Sequence, residues 1–166
     1  MMDPYRYLPF LSRKVMRAWA EREKPPPRES WTAMAKPLSR SRVALISSAG
    51  IAMRGDEPFD QQGECDDPWW GDPTWRALPL EVSETDVVIQ HLHIDTRPAE
   101  QDLNVVLPLR RLEELASENV IGDVSPRHFS IMGYILDATT LTEVTAPQLA
   151  GALTDDEVDL VVLVPV

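Results

Sequence analysis

The sequence is poor in cysteine, lysine and long apolar runs, and each scarcity excludes something. Cys65 is the one cysteine in 166 residues. An intrachain disulfide, a CxxC redox pair and a zinc site built mainly on thiolates are therefore out of reach, and a reducing, cytoplasmic compartment is the expectation. Lys14, Lys24 and Lys36 are the only lysines, so residues 43–166 offer neither a P-loop lysine nor a Schiff-base lysine. No apolar stretch approaches the roughly 20 residues that cross a bilayer. Residues 1–10 hold Asp3, Arg6 and two prolines and lack the apolar centre of a secretory signal.

Basic charge is also scarce outside the amino-terminal stretch. The net charge is −11, which argues against a general nucleic-acid binder whose affinity rests on neutralising phosphates. Residues 1–42 hold ten Lys or Arg and four Asp or Glu, whereas residues 43–166 hold six Arg and twenty-three acids. The chain divides near the same point. Leu11, Val15, Met16 and Trp19 recur at helical spacing among Arg13, Lys14 and Arg17, predicting an amphipathic helix over residues 8–23. Pro25, Pro26 and Pro27 end it, because proline lacks an N–H and restricts its predecessor. Residues 1–30 thus read as a basic helical arm and linker, packed on its own domain or on a twin subunit. Residues 31–166 read as one α/β domain.

That domain alternates strand and helix signals. Val43 to Ile46 reads as a buried strand delivering the small-residue loop Ser47-Ser48-Ala49-Gly50, whose backbone N–H groups suit an anion or carboxylate. A plain tight turn is the alternative. Residues 56–73, acidic and rich in Pro, Gly and Trp, read as a long loop. DVVIQHLHID, residues 86–95, predicts a strand with Ile89, His91, His93 and Asp95 on one face. Pro108 opens a helix through Leu109, Leu112, Leu115 and Ala116, with Gly122 placed to end it. Residues 130–135 predict a further strand. Thr145 and Gln148 have capping-box spacing before a helix over residues 146–153. Residues 158–166 are a nearly continuous Val/Leu run, the pattern of a parallel strand buried on both faces. In open α/β sheets, the groups that do chemistry lie beyond the carboxyl ends of such strands. The fold expected is a mostly parallel sheet flanked by helices in three layers, with its carboxyl-terminal part missing.

Several stretches together carry a resemblance to a known family: RVALISSAG with RGDEPF (residues 42–50 and 54–59), GDPTWR (71–76), HLHIDTRPAEQDLN (91–104), and PRH with MGY (126–128 and 132–134). They resemble selenoprotein B, the component of glycine, sarcosine, betaine and D-proline reductases, from about Trp31 to Val166. HLHIDTRPAEQDLN is the most specific part, and in length the chain resembles the proline-reductase-like members. The resemblance implies an oxidoreductase that cleaves a C–N bond reductively with a dithiol. It implies other reductase subunits as partners and an amino-acid or betaine-like substrate. It places a pyruvoyl group on a partner subunit rather than a cofactor on this chain. It also implies a selenocysteine nucleophile directly after a strand like residues 158–166. The expectation is therefore a chain ending at a UGA codon, inactive by itself and without its catalytic residue.

Cys65 does not match that position; neighbouring Glu64, Asp66 and Asp67 disfavour a thiolate there. The candidate substrate contacts are Ser47, Ser48, His91, His93, Asp95, Arg97, Glu100, Asp102, Arg127 and His128. Arg97 and Arg127 suit a carboxylate because guanidinium binds it bidentately, although salt bridges within so acidic a body are the plain alternative. Glu100 and Asp102 would orient these groups, and Asn104 would cap a turn. The histidines have three readings: substrate or selenolate contacts, buried structural groups, or, with Asp95 or His128, an N/O metal site. No metal ligand is assigned. Two rival functions remain open at this point, a noncatalytic substrate-binding subunit and a His-based metal-dependent hydrolase or lyase.

Overall fold

The computed structural model describes residues 9–22, 32–67 and 70–166. It divides into a first unit ending at Ala33 and a second running Met34–Val166. In the first, helix α1 (Phe10–Arg22) follows the predicted periodicity and leaves Phe10, Leu11 and Val15 exposed. Leu8, Glu23 and the proline run at 25–27 lie outside the described residues. No helix among the described residues is long and apolar enough to cross a membrane.

The second unit is built on strand β1 (Arg42–Ser47), whose Val43, Ala44 and Leu45 are almost wholly buried. β5 (Asp123–Val124) and β6 (Arg127–Ile131) follow one another along one edge of β1, and β7 (Leu160–Val164) runs along the other, all parallel to it. β3 (Trp75–Pro79) adds antiparallel to β6, so the sheet is mixed with mainly parallel pairing. β2 (Ile51–Met53) and β4 (Val87–Ile89) pair antiparallel in a separate two-stranded sheet. Between β5 and β6 the register advances by two residues, from Arg42↔Asp123 to Ile46↔Phe129. Ser125 and Pro126 form the bulge, and proline there has no N–H to offer the ladder.

Strand alternation gives the sheet two faces. Val43, Leu45 and Leu78 share a core with Leu103 and Leu107 and with Leu109 and Leu112 of α4 (Leu109–Ser117). Each such side chain contributes roughly 1.5–3 kcal/mol on burial. The other face carries Trp75 and Phe129, edge to face at 5.5 Å, under α5 (Ala146–Asp155), where Trp75 Nε1 donates to Gln148 Oε1. This is the three-layer α/β arrangement expected.

Several local expectations change. The strand predicted over residues 86–95 stops at Ile89. Gln90 N still donates to Gly50 O, but His93 N then donates to His91 Nδ1 at 3.2 Å and the chain turns. Asp95 accepts from Arg97 N just before the short helix α3 (Arg97–Gln101), whose Pro98 fits its first turn. Helix α4 ends not at Gly122 but where Asn119 takes φ 58°. Gly122 is needed instead for close approach, since a Cβ there would stand 2.5 Å from the Arg40 carbonyl carbon. The capping box at Thr145 and Gln148 does not form, because the helical path already runs through a π-helical turn at Leu141–Thr145. Thr145 Oγ1 donates to Pro73 O instead. The acidic loop contains a helical turn, α2 (Gln61–Asp66), capped by Asp60. β7 is not buried on both faces: it pairs only with β1 among the described residues, and Leu163 is 69% exposed.

Candidate functional site

The carboxyl ends of three neighbouring parallel strands converge. β1 delivers Ser47 and Ser48, β6 delivers Met132, Gly133 and Tyr134, and β7 delivers Val166. Their positions are fixed by the backbone: Ser48 N donates to Val164 O at 3.1 Å and Gly50 N to Ile131 O at 3.0 Å. Ala49 and Met132 form an antiparallel bridge across the gap. Val166 N donates to Ser48 Oγ at 2.9 Å. Gly50, at φ +63°, makes the return turn, and a Cβ on it would meet Met132 Sδ at 2.6 Å.

The turn after β4 brings His91 and His93 to this place. His91 is 6% exposed, and a Cβ on Gly133 would lie 2.8 Å from its Nε2 and 2.8 Å from the Ser48 carbonyl oxygen. The exposed His93 ring stands 4.4 Å from the Tyr134 ring and 6.0 Å, edge to face, from His91. The assembled group is therefore Ser48, His91, His93, Gly133 and Tyr134. It sets a buried imidazole, an exposed imidazole, a phenol and backbone carbonyls side by side, groups of the kind that make directed hydrogen bonds to small polar molecules.

The anion-holding loop expected at residues 47–50 does not offer its amides. Ser48 N and Gly50 N are taken as above, and Ala49 N donates to the Oγ of the fully buried Ser47. Ser47 thus shapes the loop from beneath.

The other predicted residues are placed elsewhere or employed otherwise. Arg97 is engaged bidentately by Asp95 at 2.6 and 2.8 Å on the surface, which holds the Asp95 carboxyl below its ordinary range and raises the Arg97 guanidinium above its own. Glu100 accepts from Thr96 Oγ1. Asp102 accepts from the Asn104 amide and side chain, which lowers its carboxyl, and Asn104 Oδ1 in turn accepts from Arg110 N at the start of α4. Arg127 opens β6, at the amino end of the sheet, and grips Asp156 at 2.8 and 2.9 Å, a pairing that raises its guanidinium. His128 has no exposed surface and its Nδ1 accepts from Leu45 N at 3.0 Å. That bond fills the ladder position which the Ser125–Pro126 bulge leaves vacant. Its Nε2 is buried with no hydrogen-bond partner among the described residues. Desolvation pushes the imidazole down to about 4, with Asp156 opposing.

No group of three or more His, Cys, Asp or Glu among the described residues is placed to hold a metal ion. His128 reaches inward to β1, whereas His91 and His93 stand at the strand ends. Cys65 lies exposed on α2. A cavity of about 530 Å³ opens at the amino end of β1 between Lys36, Arg40, Arg42 and Asp123. Ion pairs Lys36–Asp159 at 3.0 Å and Arg42–Asp123 at 3.1 Å cross that region, and none of the predicted site residues lines it.

Sequence reasoning on single residues missed Gly133 and Tyr134. The signal was present, since a Gly-aromatic pair stands one residue beyond the end of β6.

A family model described as glycine/sarcosine/betaine reductase selenoprotein B matches residues 20–166. The D-proline reductase subunit gamma of Acetoanaerobium sticklandii is 31% identical over 139 residues, covering 84% of this chain and 53% of that protein. The chain thus spans about half the length of the curated relative it matches. No solved structure matches.

Proposed function

This chain belongs to the glycine/sarcosine/betaine reductase selenoprotein B family, and on that premise we propose that it is the substrate-holding part of a reductase that cleaves a C–N bond of a small amino acid or betaine. In the reaction the C–N bond breaks, carbon and nitrogen each take a hydrogen, and a dithiol becomes a disulfide. The observation that carries the reading is the meeting of Ser48, His91 and Gly133 where β1, β6 and β7 end, the place where open α/β sheets bind their ligands.

The residues present suit binding and orientation. His91 and Ser48 offer directed polar contacts, and His93 with Tyr134 covers one side. No thiol is among these residues, and Cys65 is exposed on α2. We therefore assign bond cleavage to the selenocysteine and to the partner-borne pyruvoyl group that the family resemblance implies, and assign this site the holding of substrate. Other reductase subunits are the partners on this reading.

Calorimetric titration of the 166-residue chain with glycine, D-proline and trimethylglycine tests it, alongside a dithiol-dependent turnover assay. Binding of at least one of the three, lost in His91→Ala, with no C–N cleavage by the chain alone, is the expected result. No binding by any of the three overturns the reading. A metal-dependent hydrolase or lyase gains nothing from the described residues, whose histidines do not assemble a ligand set.

A further inference from the structure

We propose that the cavity between β4 and α3 binds a short free peptide, of about three residues, laid as an added strand along the open edge of β4. The inference does not depend on the substrate-holding site at the strand ends. The cavity has a volume of about 450 Å³ and is lined by Val87, Val88 and Ile89 of β4, Ala99 and Glu100 of α3, and Arg54, a size and a mixture of apolar and polar groups that suit a small ligand. Successive residues of a strand point to opposite faces, so one cavity touches three in a row only along the strand's edge. That edge is open. β2 and β4 pair antiparallel with Ala52 opposite Val88, and on either side Arg54 N donates to Asp86 O and Gln90 N to Gly50 O. Bonded and non-bonded pairs alternate in such a ladder. Val88 therefore turns both backbone groups to Ala52, while Val87 and Ile89 turn theirs to the cavity side. No hydrogen bond among the described residues takes up the N–H or C=O of either. Backbone groups drawn away from bulk water need partners, and a strand edge with its groups free is a template for another strand.

The charges lining the cavity decide which end of the peptide lies where. Arg54 Nε donates to Thr85 O at 2.7 Å, and its two terminal nitrogens make no hydrogen bond among the described residues. The neighbouring Asp86 carboxyl lies below its ordinary range through Ser83, which donates to it from Oγ and N, and more weakly through Arg54. Glu84, also on the lining, accepts from Leu103 N and has Arg110 3.7 Å away. Arg54 is thus the charge at this end with donors left for a ligand, and a guanidinium suits a carboxylate. An antiparallel strand added to β4 runs its carboxyl end towards Val87, and Arg54 directly follows Met53, the partner of Val87. The last residue of the peptide then donates its N–H to Val87 O, and the first offers its C=O to Ile89 N. Glu100 has one oxygen on Thr96 Oγ1 and offers the other to the ammonium end. Val87 and Ala99 are buried, so the peptide's side chains meet an apolar surface. Neither glycine nor D-proline carries the amide pair that this edge requires.

Amide chemical-shift mapping of the 166-residue chain titrated with the tripeptide Ala-Val-Ala is the test. Perturbations at residues 84–89 and 97–100 are expected, with residues 47–50 and 132–134 unmoved. Affinity should fall at least about tenfold when the carboxyl end of the peptide is amidated, when its last amide is N-methylated, or when Arg54→Gln removes the cation, because each change deletes a charge-assisted or backbone hydrogen bond inside the cavity. If residues 84–89 and 97–100 stay silent at millimolar peptide, the site is overturned. Amidated peptide that binds as tightly as the free acid overturns the part given to Arg54, and N-methylated peptide that binds equally overturns the strand pairing. An N-acetylated peptide that binds equally overturns a free peptide as the occupant and points to the tail of a longer chain. Should Arg54→Gln fail to fold, the altered peptides decide, since they leave the protein untouched. Whether glycine or D-proline binds at the strand ends enters none of these outcomes.

Discussion

Three histidines in one chain take three different employments, and their backbone surroundings decide which. His128 is a structural group. It supplies an acceptor to Leu45 N where Pro126 interrupts the ladder, and its burial lowers its basicity to about 4 from an ordinary 6.5. A buried base whose folded pKa is depressed contributes stability that is whole above 6.5 and is lost as pH falls towards 4, because the unfolded chain binds the proton first. From pH 6.5 to 5, before most carboxylates titrate, this amounts to about 2 kcal/mol. Urea midpoints measured across that range should fall in the wild-type chain, and the fall should shrink in His128→Gln. A wild-type midpoint flat from 6.5 to 5 contradicts the assignment. Gly50 makes a second residue-scale case. Alanine there would force a left-handed backbone and push on Met132 Sδ from 2.6 Å, so Gly50→Ala should cost about 1–3 kcal/mol in chemical denaturation.

At the scale of elements, the parts legible in the sequence were those whose pattern and packing agree. β1 was legible because its apolar run lies in the middle of the sheet, and α4 because Leu109 and Leu112 share one stripe facing the core. Leu112→Ala should therefore cost about 2–5 kcal/mol by the same denaturation measurement, while the exposed Glu113→Ala should lie within about 0.5 kcal/mol of wild type. The end of β4 was illegible, since the alternation Ile89, His91, His93 continues straight through a turn. What stops the strand is a side-chain acceptor on His91 reached by the His93 amide, which alternation does not encode. The start of α5 misled for a related reason. Thr145 and Gln148 have the spacing of a cap, yet Thr145 bonds Pro73 O and Gln148 bonds Trp75 Nε1. Tertiary partners claimed both side chains. The two-residue bulge before β6 likewise shows only once the register on both sides is known.

For the whole molecule, the candidate site was half legible. Ser48, His91 and His93 were foreseen and are brought together. Gly133 and Tyr134 were not, because their meaning depends on β6 ending beside β1. Arg97 and Arg127 suit a substrate carboxylate by their chemistry, yet each has a partner within the chain: Arg97 with Asp95, Arg127 with Asp156. In so acidic a body a guanidinium finds a carboxylate close by. The molecule brings Ser48, His91, His93 and Tyr134 together at the strand ends. It also presents a competing recess, the cavity of about 530 Å³ at the amino end of β1. Volume alone does not make that cavity the site, because Lys36 is already paired with Asp159 and Arg42 with Asp123. The most direct measurement is an amide chemical-shift map of the 166-residue chain titrated with glycine or D-proline. Perturbations clustered at residues 47–50, 91–93 and 132–134 are what the account predicts. A cluster around Lys36, Arg40 and Asp123, with the strand ends silent, would contradict it.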